Sequence, residues 1–110
     1  VRVDTMVEIN SHDVVLDNLW LWHADHDDCG TDPGIHLKVY GKSDDCWTKH
    51  GLIVNGDRVT AYGTAVEHIV GGEMVRWNGQ GGETYFFQCE LPYHNDKASV
   101  GGAAAYSVAE

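Results

Sequence analysis

Three stretches of this chain repeat one pattern: "VEINSHDVVLDNLWLWH" at 7–23, "LIVNGDRVTAYGTAVEH" at 52–68 and "VRWNGQGGETYFFQCEL" at 75–91. The first two run apolar, Asn, a small residue, two polar residues, then a Val-led apolar segment ending in His. The third keeps the apolar-Asn-Gly opening. Aligned on Asn, Asn10 and Asn55 are 45 residues apart, and Asn55 and Asn78 are 23 apart. Forty-five is close to twice 23, so the spacing predicts a register of about 22–23 residues, with one less regular unit between the first two lines. Within each line the period is two. Val7/Ile9, Val14/Leu16, Leu52/Val54, Val59/Ala61 and Tyr85/Phe87 each skip one residue, which is the alternation of a strand rather than of a helix.

Short strands returning at a fixed interval, without two-residue hairpin signals in register, predict a coil of parallel strands: an all-β solenoid. Successive coils would stack about 4.8 Å apart and place like residues over like. Asn10, Asn55 and Asn78 would then form a ladder at a turn, where Asn tolerates a left-handed backbone and its amide bonds the rungs on either side. An antiparallel β-sandwich also suits 110 residues, but it gives no reason for Asn to recur at one spacing.

Length and a 43% hydrophobic composition allow a single domain over 1–110 with a real core. A formal charge of −10 argues against nucleic acid and anionic membranes as partners, because phosphate binding needs clustered Lys and Arg. No apolar run approaches the roughly 20 residues of a membrane-spanning helix. The chain opens without Met or a signal-peptide-like segment, as expected of a mature product, an engineered piece or an excised one. Of three cysteines, Cys29 and Cys46 flank a polar insert (29–46) that a disulfide can close, worth about 3 kcal/mol. Cys89 lies in an aromatic, strand-like run and is expected as a buried free thiol.

"DNLWLWHADH" (17–26), "HGLIVNGDRVTAYGTAVEH" (50–68), "RWNGQGGETYFFQCELPY" (76–93) and "AAYSVAE" (104–110) resemble a large secreted family. Its members are right-handed parallel β-helix proteins of the pectate-lyase-like superfamily. The sequence is similar to the family 55 glycoside hydrolases that attack β-1,3-glucan, and to uncharacterised bacterial proteins carrying discoidin-like domains. The resemblance covers most of this chain in order, with W-N-G-x-G-G-x-T-Y-F its most specific part. It implies a secreted, extracellular, carbohydrate-active β-helix that binds or hydrolyses a polysaccharide. Family members are several hundred residues long, so the match is to an internal piece, and the insert at 29–46 departs from the short Gly-rich link expected there.

Glu67 and Glu90 share the 23-residue interval of Asn55 and Asn78, so the register stacks them on adjacent coils. Paired carboxylates suit glycoside hydrolysis, and these two are the candidate catalytic acids of a glycoside hydrolase. His68 is a candidate proton shuttle and substrate contact. Three considerations compete: an acidic stripe in solvent, a one-residue bulge in "GGETYFF" that would break the register, and strand alternation, which points His68 away from Glu67. Trp77 and Tyr93 are candidate sugar contacts, within an aromatic set that includes Trp20, Trp22, Trp47, Tyr62, Tyr85, Phe86 and Phe87. Buried packing is the expectation for most of that set. The cluster of His23, Asp25 and His26, with His50, contains Zn²⁺ or Ca²⁺ ligand types without a standard spacing, so no cofactor is expected. "NGQGG" (78–82) lacks a P-loop Lys and reads as a turn. The alternative function is a structural module whose open coil ends self-associate into an oligomer or filament, without catalysis.

Overall fold

The computed structural model describes residues 2–23, 47–69, 71–91 and 104–110. Ten strands lie within them: β1 (Arg2–Ile9), β2 (Val15–Asp17), β3 (Trp20–Trp22), β4 (Trp47–Val54), β5 (Thr60–Tyr62), β6 (Ala65–Glu67), β7 (Val75–Trp77), β8 (Glu83–Tyr85), β9 (Gln88–Glu90) and β10 (Tyr106–Val108). Every pairing is parallel, and the strands form three sheets, β1-β4-β7-β10, β2-β5-β8 and β3-β6-β9. Three successive turns of chain each contribute one strand to each sheet, and β10 adds a fourth strand to the first. This is a parallel β-helix, and no helix occurs among the described residues.

Two corners make the short strands change direction. Asp13, Arg58 and Gly81 occupy equivalent places before the second sheet, with φ of 57°, 51° and 61°. Asn18, Gly63 and Phe86 do the same before the third sheet, at 52°, 58° and 59°. One left-handed residue reverses the strand's curvature without breaking the stack, which Asn, Asp and Gly tolerate best. Asp13 and Arg58 also join their coils directly: the guanidinium donates to both carboxylate oxygens at 2.6 and 2.8 Å. That charge-assisted pair holds the Asp13 carboxyl below its ordinary value of 3.8.

The inward residues form columns. Val7, Leu52, Val75 and Tyr106 stack in the first sheet, and Ile9, Val54 and Trp77 stack beside them, in register with an exposed Val108. Leu16 and Ala61 continue the core in the second sheet, and Leu21 and Val66 in the third. Val54, Val59, Val66 and Ile69 are fully excluded from solvent; burying each contributes about 1.5–3 kcal/mol. Above Ala61 the second column turns polar, where the Thr84 hydroxyl meets the Tyr106 hydroxyl at 2.9 Å. Burial raises the Tyr106 phenol above 10.0.

The asparagines stand rung on rung. The Asn55 amide donates to the Asn10 oxygen at 2.7 Å, and the Asn78 amide donates to the Asn55 oxygen at 2.7 Å. Asn55 also donates to Glu8 at 2.9 Å. These bonds correct one expectation. The 45-residue interval contains no intervening coil, because the second coil pairs directly on the first. The additional length falls between β3 and β4, outside the described residues. From the second coil to the third the register is 23 residues without a bulge, Thr60 opposite Glu83 and Glu67 opposite Glu90.

Two further expectations change. Cys89 takes the inward column position above Val66 but is an exposed free thiol, because nothing described packs over that end of the column. Trp77 is not a surface platform. It is 5% exposed, stacked on Tyr106 at 6.1 Å, and lies so close to Gly82 that a Cβ there would collide with the indole.

Candidate functional site

The outer face of the third sheet carries the polar chemistry. Alternation in β3, β6 and β9 sends Leu21, Val66 and Cys89 inward, so Trp20 and Trp22, Ala65 and Glu67, and Gln88 and Glu90 lie in register on the other face. The column over Trp20 runs through Ala65 to Gln88, and the column over Trp22 runs through Glu67 to Glu90. Ala65 is the small member between two long side chains. Over it, Trp20 and Gln88 converge on Glu67 from the coils below and above. The Trp20 indole N–H donates to Glu67 Oε2 at 2.8 Å, and the Gln88 amide donates to Oε1 at 2.8 Å.

Glu67 is therefore a buried carboxylate, 6% exposed, with a hydrogen bond on each oxygen. Burial of such a group requires this kind of compensation. Glu90 differs. Its side chain is 51% exposed, and its contacts, to His68 Nε2 and to the Gln88 amide, are both 3.4 Å. Two carboxylates one coil apart thus have different surroundings: one is anchored and one is open.

His68 lies at the end of β6 with φ of 61°. Extended backbone would send it to the face opposite Glu67; the left-handed turn instead places it on the Trp22 and Glu90 side. The Trp22 indole N–H donates to His68 Nδ1 at 3.1 Å, with the rings edge-on at 6.1 Å. The His68 backbone N–H donates to the Glu90 carbonyl at 2.9 Å. His68 is 1% exposed and meets Glu90 rather than Glu67. Trp20 stacks on Trp22 at 5.9 Å and 22°, yet remains 65% exposed, so one broad indole face is open to a ligand.

The remaining candidates are His23, whose backbone N–H donates to the Glu67 carbonyl at 3.1 Å, His50, and residues outside the described ones. Tyr93, Asp25, His26, Cys29 and Cys46 fall outside them. His50 is buried, with Nδ1 3.0 Å from Glu73 Oε2, and His23 is 5% exposed. Among the described residues no three His, Cys, Asp or Glu side chains converge as a metal site would require. Gln88 had no signal in sequence reasoning. Trp20 and Trp22 had one, the shared parity of "LWLW", but linking them to Glu67 requires the knowledge that β6 pairs directly with β3.

Three parallel sheets wound into a β-helix are the architecture of the pectate-lyase-like class of folds. Residues 1–90 match the LAM55 pectate lyase-like domain, and the chain belongs to that family. It is 34% identical over 113 residues to an exo-beta-1,3-glucanase of Streptomyces sp. (strain SirexAA-E / ActE), an alignment covering 97% of this chain and 17% of that protein. The chain thus spans about one sixth of the length of that relative. No solved structure matches.

Proposed function

We propose that this chain forms a glycan-contacting wall of a secreted, β-1,3-glucan-acting β-helix protein. The observation that carries this reading is Trp20. A 65%-exposed indole is stacked on Trp22 and held from behind by the buried Glu67. Such a ring, ordered before ligand arrives, offers a flat apolar face to a sugar ring at little entropic cost. The family and the relative's activity support the substrate class. The net charge of −10 favours a neutral glycan over an anionic one.

Glu90 is the working carboxylate of this reading, and Glu67 is the anchor. In hydrolysis the protonated Glu90 would deliver its proton to the glycosidic oxygen as the bond to the anomeric carbon breaks; water adds to that carbon, and the proton the water gives up restores Glu90. Calorimetric titration with soluble β-1,3-glucan oligosaccharides tests the binding. Trp20→Ala should weaken affinity roughly tenfold through loss of the stacking face, and equal affinity in wild type and variant would refute the reading. Release of reducing ends tests the chemistry. Glu90→Gln should lower it about 100-fold or more while affinity falls tenfold at most.

A further inference from the structure

We propose that Trp22 and His68 form a tautomer lock that aims Glu90 outward from the face; the ligand side of this inference rests on the glycan-wall reading above. Trp Nε1 is a donor only, so the 3.1 Å bond to His68 Nδ1 requires a lone pair on Nδ1. A neutral imidazole then carries its proton on Nε2, the nitrogen 3.4 Å from Glu90 Oε2. His68 therefore donates to Glu90, and the direction of that bond is set one coil away, on β3. Every link is held by backbone: Trp22 and Glu67 are register partners, Glu67 and Glu90 are register partners, and His68 N–H bonds the Glu90 carbonyl.

The arrangement explains two local departures. A non-glycine residue takes φ of 61° at position 68, a backbone conformation that residues with a side chain adopt only at a cost. That turn brings the imidazole to the ligand-facing side rather than burying it in the alternating inward column. The second departure is a fully buried imidazole on an outer face, 1% exposed between Trp22 and half-exposed Glu90. With Oε2 turned to His68 and Oε1 only loosely held by Gln88, Glu90 keeps Oε1 available on a side chain that is 51% exposed. His68 is thus a positioning residue: it touches the carboxylate, and the carboxylate touches the sugar.

The test is NMR of the imidazole nitrogens in the full chain, using two-bond proton–nitrogen correlations, with the Glu90 carboxyl carbon followed in the same samples. The wild type should show the Nε2–H form at His68. Trp22→Phe should admit the Nδ1–H form and move the Glu90 resonance. A wild-type His68 protonated on Nδ1, or a Glu90 resonance indifferent to Trp22→Phe, would overturn the lock. These readouts need no glycan, so they stand apart from the functional reading. In glucan titrations, His68→Leu should lose roughly tenfold in affinity. His68→Gln, whose side chain can accept from Trp22 and donate to Glu90, should recover most of it. Wild-type affinity in His68→Leu overturns the positioning role. A wild type that does not bind the glucan overturns the functional reading, and the resonances still decide the lock.

Discussion

Asn55→Ala isolates what the asparagine ladder contributes. The Asn55 side chain donates to Asn10 and to Glu8 and accepts from Asn78, three hydrogen bonds at 2.7, 2.9 and 2.7 Å. Asn10→Ala and Asn78→Ala each remove one of the two rung-to-rung bonds. The turn backbone does not depend on the amide, since the Asn55 and Gly56 N–H groups bond the Ile9 carbonyl. A net hydrogen bond contributes about 1 kcal/mol, and less where water can replace the partner. Both bonds to the first coil are exposed and the one to Asn78 is partly buried, so about 1.5–2.5 kcal/mol is expected for Asn55→Ala. About 0.5–1 kcal/mol is expected for either end rung. Urea unfolding of the three variants, followed by circular dichroism, measures this. At unchanged slope, the midpoint of Asn55→Ala should fall two to three times as far as that of either end variant. If all three fall equally, the middle rung has no special role and the ladder argument fails.

Gly79→Ala would drive a Cβ into the Gly56 carbonyl oxygen of the coil beneath, and should destabilise by about 2 kcal/mol or more; a thermal midpoint equal to wild type would contradict the close approach. Trp77→Ala should cost about 3–5 kcal/mol by opening a cavity under Tyr106, whereas Trp77→Phe should leave glucan affinity unchanged, and a large affinity loss there would return Trp77 to the ligand face. Because Arg58 depresses the Asp13 carboxyl, the pair's contribution is present above the unfolded value of 3.8 and is lost as pH falls through the lower folded value. Carbon-detected titration should find Asp13 below 3.8, rising toward it in Arg58→Gln, and an unmoved midpoint would refute the coupling. Cys89 should react readily with a thiol reagent in the native state, since it is exposed; protection until unfolding would contradict its placement.

The sequence by itself determined the architecture and one column of it. Period-two alternation and an Asn at 55 and 78 are local signals, each legible because a parallel stack repeats its environment every coil. The 23-residue interval by itself pairs Glu67 with Glu90, as the third sheet does. The interval of 45 misled, because arithmetic on spacing cannot distinguish an extra coil from length added between two strands; only direct pairing of β1 on β4 decides it. That decision determines the site, since it sets Trp20 and Trp22 beneath Ala65 and Glu67.

Facing and burial were likewise tertiary. Strand alternation assigned His68 to the face opposite Glu67, and a single left-handed residue reversed that. Trp77 and Trp20 are the same residue type on strands of the same length, yet one is core and one is surface. Parity along a strand is local, but which parity faces the core depends on where the corners turn, and so on contacts between coils that no single stretch contains. For the same reason Gln88 carried no signal: it becomes a site residue only when Ala65, 23 positions earlier on the coil below, leaves space for it to reach Glu67.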